Sequence, residues 1–106
     1  MSDDGGSDRE SSAAPEGADV RVLEIVNKKG LHARASAKFC QTVERFDADV
    51  RVTRGHETVG GTSIMGLMML GAATGSKITI AATGNEAAAV ADALEKLVSS
   101  GFGEED

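Results

Sequence analysis

Apolar and polar positions change their spacing several times along the chain, and each change marks an element. Val20–Val26 is a short, β-branched apolar run that predicts a strand, and Asn27-Lys28-Lys29-Gly30 predicts a loop after it. From Ala35 the apolar residues Phe39, Val43 and Phe46 recur at helical spacing, which predicts a helix over about Ala33–Glu44. Ala48–Thr53 alternates, with Val50 and Val52 on one side and Asp49, Arg51 and Thr53 on the other, as a half-buried strand does. Arg54-Gly55-His56-Glu57 predicts a turn and Thr58–Gly60 a short strand pairing back. Thr62–Gly71 predicts a short helix, capped by Ser63 or Thr62 and ended by Gly71. Gly75–Ala81 alternates again as a strand. Over Glu86–Ser99, Ala87, Val90, Ala91, Leu94, Leu97 and Val98 form one apolar stripe, the mark of an amphipathic helix, which Gly101 and Gly103 break. The order is β-α-β-β-α-β-α, without an internal repeat. It predicts an α+β fold with an antiparallel sheet and helices on one face.

Composition divides the chain into one body and two tails. Residues 1–19 are rich in Ser, Gly, Ala and Asp, hold the one proline, Pro15, and offer little to bury, so a disordered acidic tail is expected there. Glu104, Glu105 and Asp106 read as a second acidic tail. The net charge of −6 therefore belongs to the ends, and residues 20–103 carry ten basic and eight acidic side chains. Lys28, Lys29, Arg34 and Lys38 crowd His32, a charge pattern that draws an anionic group or an acidic partner. A body of roughly 80 residues buries only about 60–65% of its unfolded surface, enough for one modest core.

The same inventory narrows the function classes. No apolar stretch approaches membrane-spanning length, and the first residues lack the basic and apolar segments of a secretory signal. A single cysteine, Cys40, forms no internal disulfide and suits a reducing cytoplasm, the expected location. With no Trp or Tyr and three Phe, the chain has no aromatic platform for stacking bases, and nucleic acid is not an expected partner. No phosphate-loop motif and no His/Cys/Glu group at ligand spacing is present, so neither a nucleoside triphosphatase nor a metal site nor a cofactor is expected.

Gly30-Leu31-His32-Ala33-Arg34 carries the chemistry. It sets a histidine at a predicted helix start, where free backbone amides and the positive dipole end attract an anion. Imidazole titrates near cellular pH, and its neutral form keeps one nitrogen free to attack phosphorus, so His32 can be a nucleophile as well as a ligand. Arg34 would hold the dianion through charge-assisted hydrogen bonds. Cys40 lies eight residues on, about 12 Å along a helix, which makes it a packing residue rather than a partner of His32. His56 falls in a turn and is expected to be exposed. In Ile64-Met65-Gly66-Leu67-Met68-Met69, Leu67 (with Leu70) is expected in the core, so that some of Ile64, Met65 and Met68 should be exposed as a patch suited to partners.

Two motifs, Gly30-Leu31-His32-Ala33-Arg34 and Thr62-Ser63-Ile64-Met65-Gly66-Leu67-Met68-Met69-Leu70-Gly71, together resemble the HPr family, the histidine-containing phosphocarriers of the bacterial phosphoenolpyruvate-dependent phosphotransferase system. The resemblance covers about residues 20–103, and Val59–Gly66 is similar to its nitrogen-related branch. It implies an open-faced β-sandwich, a four-stranded antiparallel sheet with three helices on one face. It further implies His32 as the residue phosphorylated on Nδ1 and Arg34 as the stabiliser of the phosphoryl group. Ser63 is implied as the target of an ATP-dependent HPr kinase/phosphorylase. Enzyme I is implied as donor and an enzyme IIA domain as acceptor, with Ala33, Ala37, Ile64, Met65 and Met68 in the contact patch. The protein would be a monomeric carrier, not an enzyme. A regulatory module acting through Ser63 with little transfer is the competing reading. Where the family motif continues with proline, this chain has Ala35, which restores an N–H and predicts a looser first turn with transfer intact. Lys29 stands where relatives often carry a small polar residue and would add positive charge near the phosphate.

Overall fold

The computed structural model describes residues 17–104. Its strands are β1 (Asp19–Glu24), β2 (Asp49–Arg54), β3 (Glu57–Gly60) and β4 (Lys77–Thr83). Its α-helices are α1 (Ala33–Glu44), α2 (Ile64–Met69) and α3 (Ala87–Ser99), followed by one 3-10 turn, Gly101–Gly103. The sheet runs β1-β4-β2-β3, antiparallel throughout, with Val22 opposite Thr79 and Val52 opposite both Val59 and Ile80. This is the open-faced α+β sandwich, and each predicted element is present with ends moved by one or two residues at most places.

Alternation explains the layering. Leu23, Val50, Val52, Ile78, Ile80 and Ala82 point from one sheet face into a core completed by Phe39 and Val43 of α1, Leu67 of α2 and Val90, Leu94 and Val98 of α3. Val20 and Val22 stay exposed on β1, and Arg51 of β2 is exposed as well. Arg21 ties β1 to α3 by donating to Asp92 at 2.6 Å and Glu95 at 2.8 Å, and it also pairs with Asp19 at 2.9 Å.

Two boundaries differ from the compositional reading. Asp19, counted in the acidic tail, is the first residue of β1, and its carboxyl is held below its ordinary range by the hydrogen bond from Arg21. Glu104, counted in the C-terminal tail, is part of the folded body, as described below. The remainder of both expected tails, residues 1–16 and 105–106, lies outside the described residues.

The loop between β1 and α1 is stitched to the segment after α2. Ile25 N–H donates to Ser76 O at 2.8 Å, Gly75 N–H to Ile25 O at 2.7 Å, and Leu31 N–H to Ala72 O at 3.0 Å. Gly30 sits at that seam with φ +65°, and a Cβ there would lie 2.4 Å from Ala72 O, so the close approach admits glycine only. The seam brings the start of α1 beside the end of α2.

Candidate functional site

His32 is the N-cap of α1, extended at φ −76° and ψ −178°, and its own carbonyl accepts the first helical bond from Ser36 N–H at 2.8 Å. Its side chain does not cap the helix. Among the described residues the amides of Ala33, Arg34 and Ala35 donate to no protein acceptor, so three N–H groups at the positive end of a twelve-residue helix are open to an anion. Ala35 contributes one of them, where proline would contribute none, while its methyl is fully buried.

An open cleft of about 730 Å³ lies in front of this helix start, lined by Lys29, His32, Ala33, Arg34, Lys38, Gly103 and Glu104. Lys29, Arg34 and Lys38 thus join His32 as the charge pattern suggested, whereas Lys28 is exposed in the loop and is not among the lining residues. Arg34 is exposed and makes no hydrogen bond or ion pair among the described residues. Lys38 is tied down, with Nζ donating to Phe102 O at 2.7 Å.

Glu104 completes the cleft, and sequence reasoning missed it. After α3 the chain makes a left-handed turn with φ +67°, +59° and +71° at Gly101, Phe102 and Gly103. A phenylalanine in that region costs roughly 1–2 kcal/mol, and its ring, 1% exposed in the core, holds it there. The turn directs Glu104 back to α1, where its Oε2 meets His32 Nε2. Its Oε1 accepts from Asn27 Nδ2 at 3.0 Å, and the same Nδ2 donates to Gly30 O at 2.9 Å. These bonds, that from His32 above all, hold the Glu104 carboxyl below its ordinary range, and Lys29 adds to the effect. The signal in the sequence was a lone large apolar residue between two glycines directly after a helix; read as helix breakers, the glycines concealed the anchor.

On the neighbouring helix Ser63 is the N-cap, exposed, and its Oγ accepts from Gly66 N–H at 3.0 Å. This is the capping role expected of it. Gly66 belongs to the same arrangement, because a Cβ there would come within 2.8 Å of Ser63 Oγ and 3.0 Å of Val59 Cβ. Leu67 and Leu70 enter the core as the apolar spacing implied, and Ile64, Met65 and Met68, of which it implied that some are exposed, are all three exposed. Met69, 72% exposed, extends the patch beyond the residues singled out. A groove lined by Lys29, Leu31, His32, Met68 and Gly71–Ala73 connects the patch to the histidine. Ala33 is exposed and Ala37 half-buried on the adjoining helix.

Other chemical candidates are placed elsewhere. Cys40 is buried and burial pushes its thiol up, which suits packing. His56 is exposed in the β2–β3 turn. Among the described residues no group of three or more His, Cys, Asp or Glu could hold a metal ion, and no helix is long and apolar enough to cross a membrane.

A family model described as "PTS HPr component phosphorylation site" matches residues 20–100. The chain belongs to the HPr family. It is 50% identical over 82 residues to the phosphocarrier protein HPr of Neisseria meningitidis, covering 77% of this chain and 92% of that one. It is 38% identical over 84 residues to the phosphocarrier protein NPr of Shewanella violacea, covering 79% and 92%. The fold superimposes on a crystal structure of HPr from Thermoanaerobacter tengcongensis with a TM-score of 0.79 and 39% identity, covering 83% of this chain and 99% of that one. As a member of this phosphocarrier family, the chain has His32, Arg34 and Ser63 on the scaffold shared with HPr structures.

Proposed function

We propose that this phosphocarrier accepts a phosphoryl group on His32 Nδ1 from phospho-enzyme I in the cytoplasm and delivers it to an enzyme IIA domain. The observation that carries the reading is the helix start itself: a histidine at the N-cap converges on one cleft with three amides and an arginine that have no partner among the described residues. The Nδ1 lone pair attacks phosphorus, the new N–P bond forms as the donor's N–P bond breaks, and the electron pair of that bond returns to the donor ring. The amides and Arg34 receive the dianion, and because the cleft is open they hold it without enclosing it, as a transferable group requires. The NPr relative favours a nitrogen-related phosphotransferase branch.

The decisive experiment is intact-protein mass after incubation with phosphoenolpyruvate and enzyme I. A gain of one phosphate, lost in acid and absent from His32→Ala, is the expected result. No gain, with an enzyme I active on another carrier, would remove the reading.

The apolar patch of Ile64, Met65 and Met68, with Ala33 and Ala37 alongside, is the docking face for both partners in this reading. Met65, 68% exposed, can take a charge without disturbing the core. Met65→Glu is expected to raise the half-saturating enzyme I concentration by about tenfold or more, as truncation of an interface anchor does, while thermal unfolding stays within a few degrees of wild type. Unchanged transfer kinetics would move the interface elsewhere.

Ser63 adds regulation by HPr kinase/phosphorylase. Its exposed hydroxyl stands at the edge of the same patch, so a phosphate there would set about two negative charges beside the apolar contact residues and oppose docking.

A further inference from the structure

We infer that Glu104 is a positioning residue for the phosphoryl chemistry: it holds the Nε2 proton of His32, leaving Nδ1 as the free nucleophile and keeping the phosphorylated ring protonated. The inference rests on the phosphocarrier reading and deepens it. Nδ1 and Nε2 cannot both act as nucleophiles in one neutral ring, since one carries the proton. A carboxylate at Nε2 accepts a hydrogen bond and therefore favours the tautomer protonated there. The other nitrogen, Nδ1, then carries the lone pair.

The same contact matters more after transfer. When Nδ1 bonds to phosphorus the ring becomes a cation, with its proton on Nε2. If that proton stays, the next N–P cleavage returns the electron pair to Nδ1 and releases a neutral imidazole. If the proton is lost to water, cleavage would have to release an imidazolate, a far poorer leaving group. The groups lining the cleft around the ring are Lys29 from the loop after β1, Arg34 and Lys38 from α1, and Glu104 from the C-terminal turn, while α2 presents Met68 to the adjoining groove. The three cations oppose a positive ring. Glu104 is the one carboxylate among these lining residues, and it is the group that can keep the proton in place.

The carboxylate is itself built in. Asn27 Nδ2 donates to Glu104 Oε1 and to Gly30 O, two acceptors that fix the amide's orientation. Its Oδ1 is buried without a partner among the described residues, a cost the fold bears at this position. Phe102 in its left-handed conformation and the Lys38 bond to Phe102 O aim the turn. Backbone strain and an orphaned polar atom, both concentrated on the path to one carboxylate, are what a positioning device leaves behind.

The test is nitrogen NMR of the His32 ring in full-length wild type, Glu104→Ala and Glu104→Gln, before and after phosphorylation by enzyme I and phosphoenolpyruvate. In the unphosphorylated wild type at pH 8, one tautomer with protonated Nε2 is expected, and Glu104→Ala should show exchange averaging. In the phosphorylated proteins at pH 8, the Nε2–H signal is expected to be at least tenfold weaker in both variants than in wild type. Transfer to the acceptor should correspondingly slow about tenfold at pH 8 and match wild type near pH 6, a pH profile that loss of mere scaffolding would not produce. Wild type that takes no phosphate would sink the carrier reading, and the unphosphorylated spectra alone would then decide the role of Glu104. Normal phosphorylation with identical ring spectra and titrations in wild type and Glu104→Ala would overturn Glu104 and leave the carrier intact.

Discussion

Gly30→Ala is expected to lower the melting temperature by about 8–40 °C and to disorder the histidine loop, as read by circular dichroism and by the His32 ring signals. The added methyl meets two separate obstacles. The backbone at φ +65° is in the region where a non-glycine residue costs roughly 1–2 kcal/mol. The Cβ would also lie 2.4 Å from Ala72 O and 3.0 Å from Ala73 Cα, both backbone atoms that no side-chain rotation can move. Overpacking of this kind costs about 1–3 kcal/mol more. Against a domain stability of roughly 4–13 kcal/mol, and at about 4–8 °C per kcal/mol, the sum gives the shift stated. Relief requires separating the two segments, which breaks the 3.0 Å bond from Leu31 N–H to Ala72 O and displaces the Gly30 carbonyl on which Asn27 and His32 both donate. Gly55→Ala is the internal control. Its φ is +62°, yet nothing lies within 4 Å of the added methyl, so only the conformational cost remains. Equal losses in the two variants would show that the seam at Ala72 yields, and that the glycine is required for its dihedral angle alone.

Most of the architecture was legible because its signals are local. The alternation at Val50 and Val52 and the stripe of Val90, Ala91, Leu94 and Val98 each report a face, and those faces are the ones buried. Element ends moved by a residue or two because caps and strand partners, not periodicity, set them. The Glu86 carboxylate, for instance, accepts from Asp47 N–H at 2.6 Å and leaves α3 to begin at Ala87. The strand order was not legible in the spacing. The pairing of β1 with β4 joins segments more than fifty residues apart, and only the family resemblance supplied an architecture for it.

The site divides along the same line. His32, Arg34 and Ser63 announce themselves within single motifs, since each depends on a helix start a few residues long. Glu104 and Asn27 do not. Their meeting requires a buried phenylalanine in a left-handed conformation, a lysine on another helix and a loop amide from the other end of the chain. Composition placed Glu104 with the acids that follow it, because composition has no means of separating a charge that packs from one that is solvated. The Arg21 cluster with Asp92 and Glu95 was invisible for the same reason.

Arg34→Ala is expected to slow phosphoryl transfer by about a hundredfold while leaving the melting temperature within a few degrees of wild type. The stability half follows from the side chain being exposed and making no hydrogen bond or ion pair among the described residues; surface changes of that kind stay within about 0.5 kcal/mol. The kinetic half follows from what an unpaired guanidinium does beside three open amides. The dianion can be shared among backbone dipoles, but only Arg34 supplies a full positive charge with a planar fork of donors, and removing one preorganised donor from charge developing in a transition state costs about 10²–10³ in rate. Lys29 and Lys38 line the same cleft and would be the natural substitutes. Lys38 is committed to Phe102 O, and Lys29 approaches from the loop rather than the helix, so neither is placed to replace the fork. Arg34→Lys should therefore recover only part of the loss, because a point charge restores attraction without bidentate geometry. Single-turnover transfer from phospho-enzyme I, measured beside thermal unfolding for both variants, separates the possibilities. A large fall in melting temperature with a normal rate would make Arg34 a structural residue, and full recovery in Arg34→Lys would show that the site needs charge alone. A loss in Arg34→Ala that Lys29→Ala reproduces would instead spread the work over the whole basic rim, with the helix start providing the geometry and no single cation providing the catalysis.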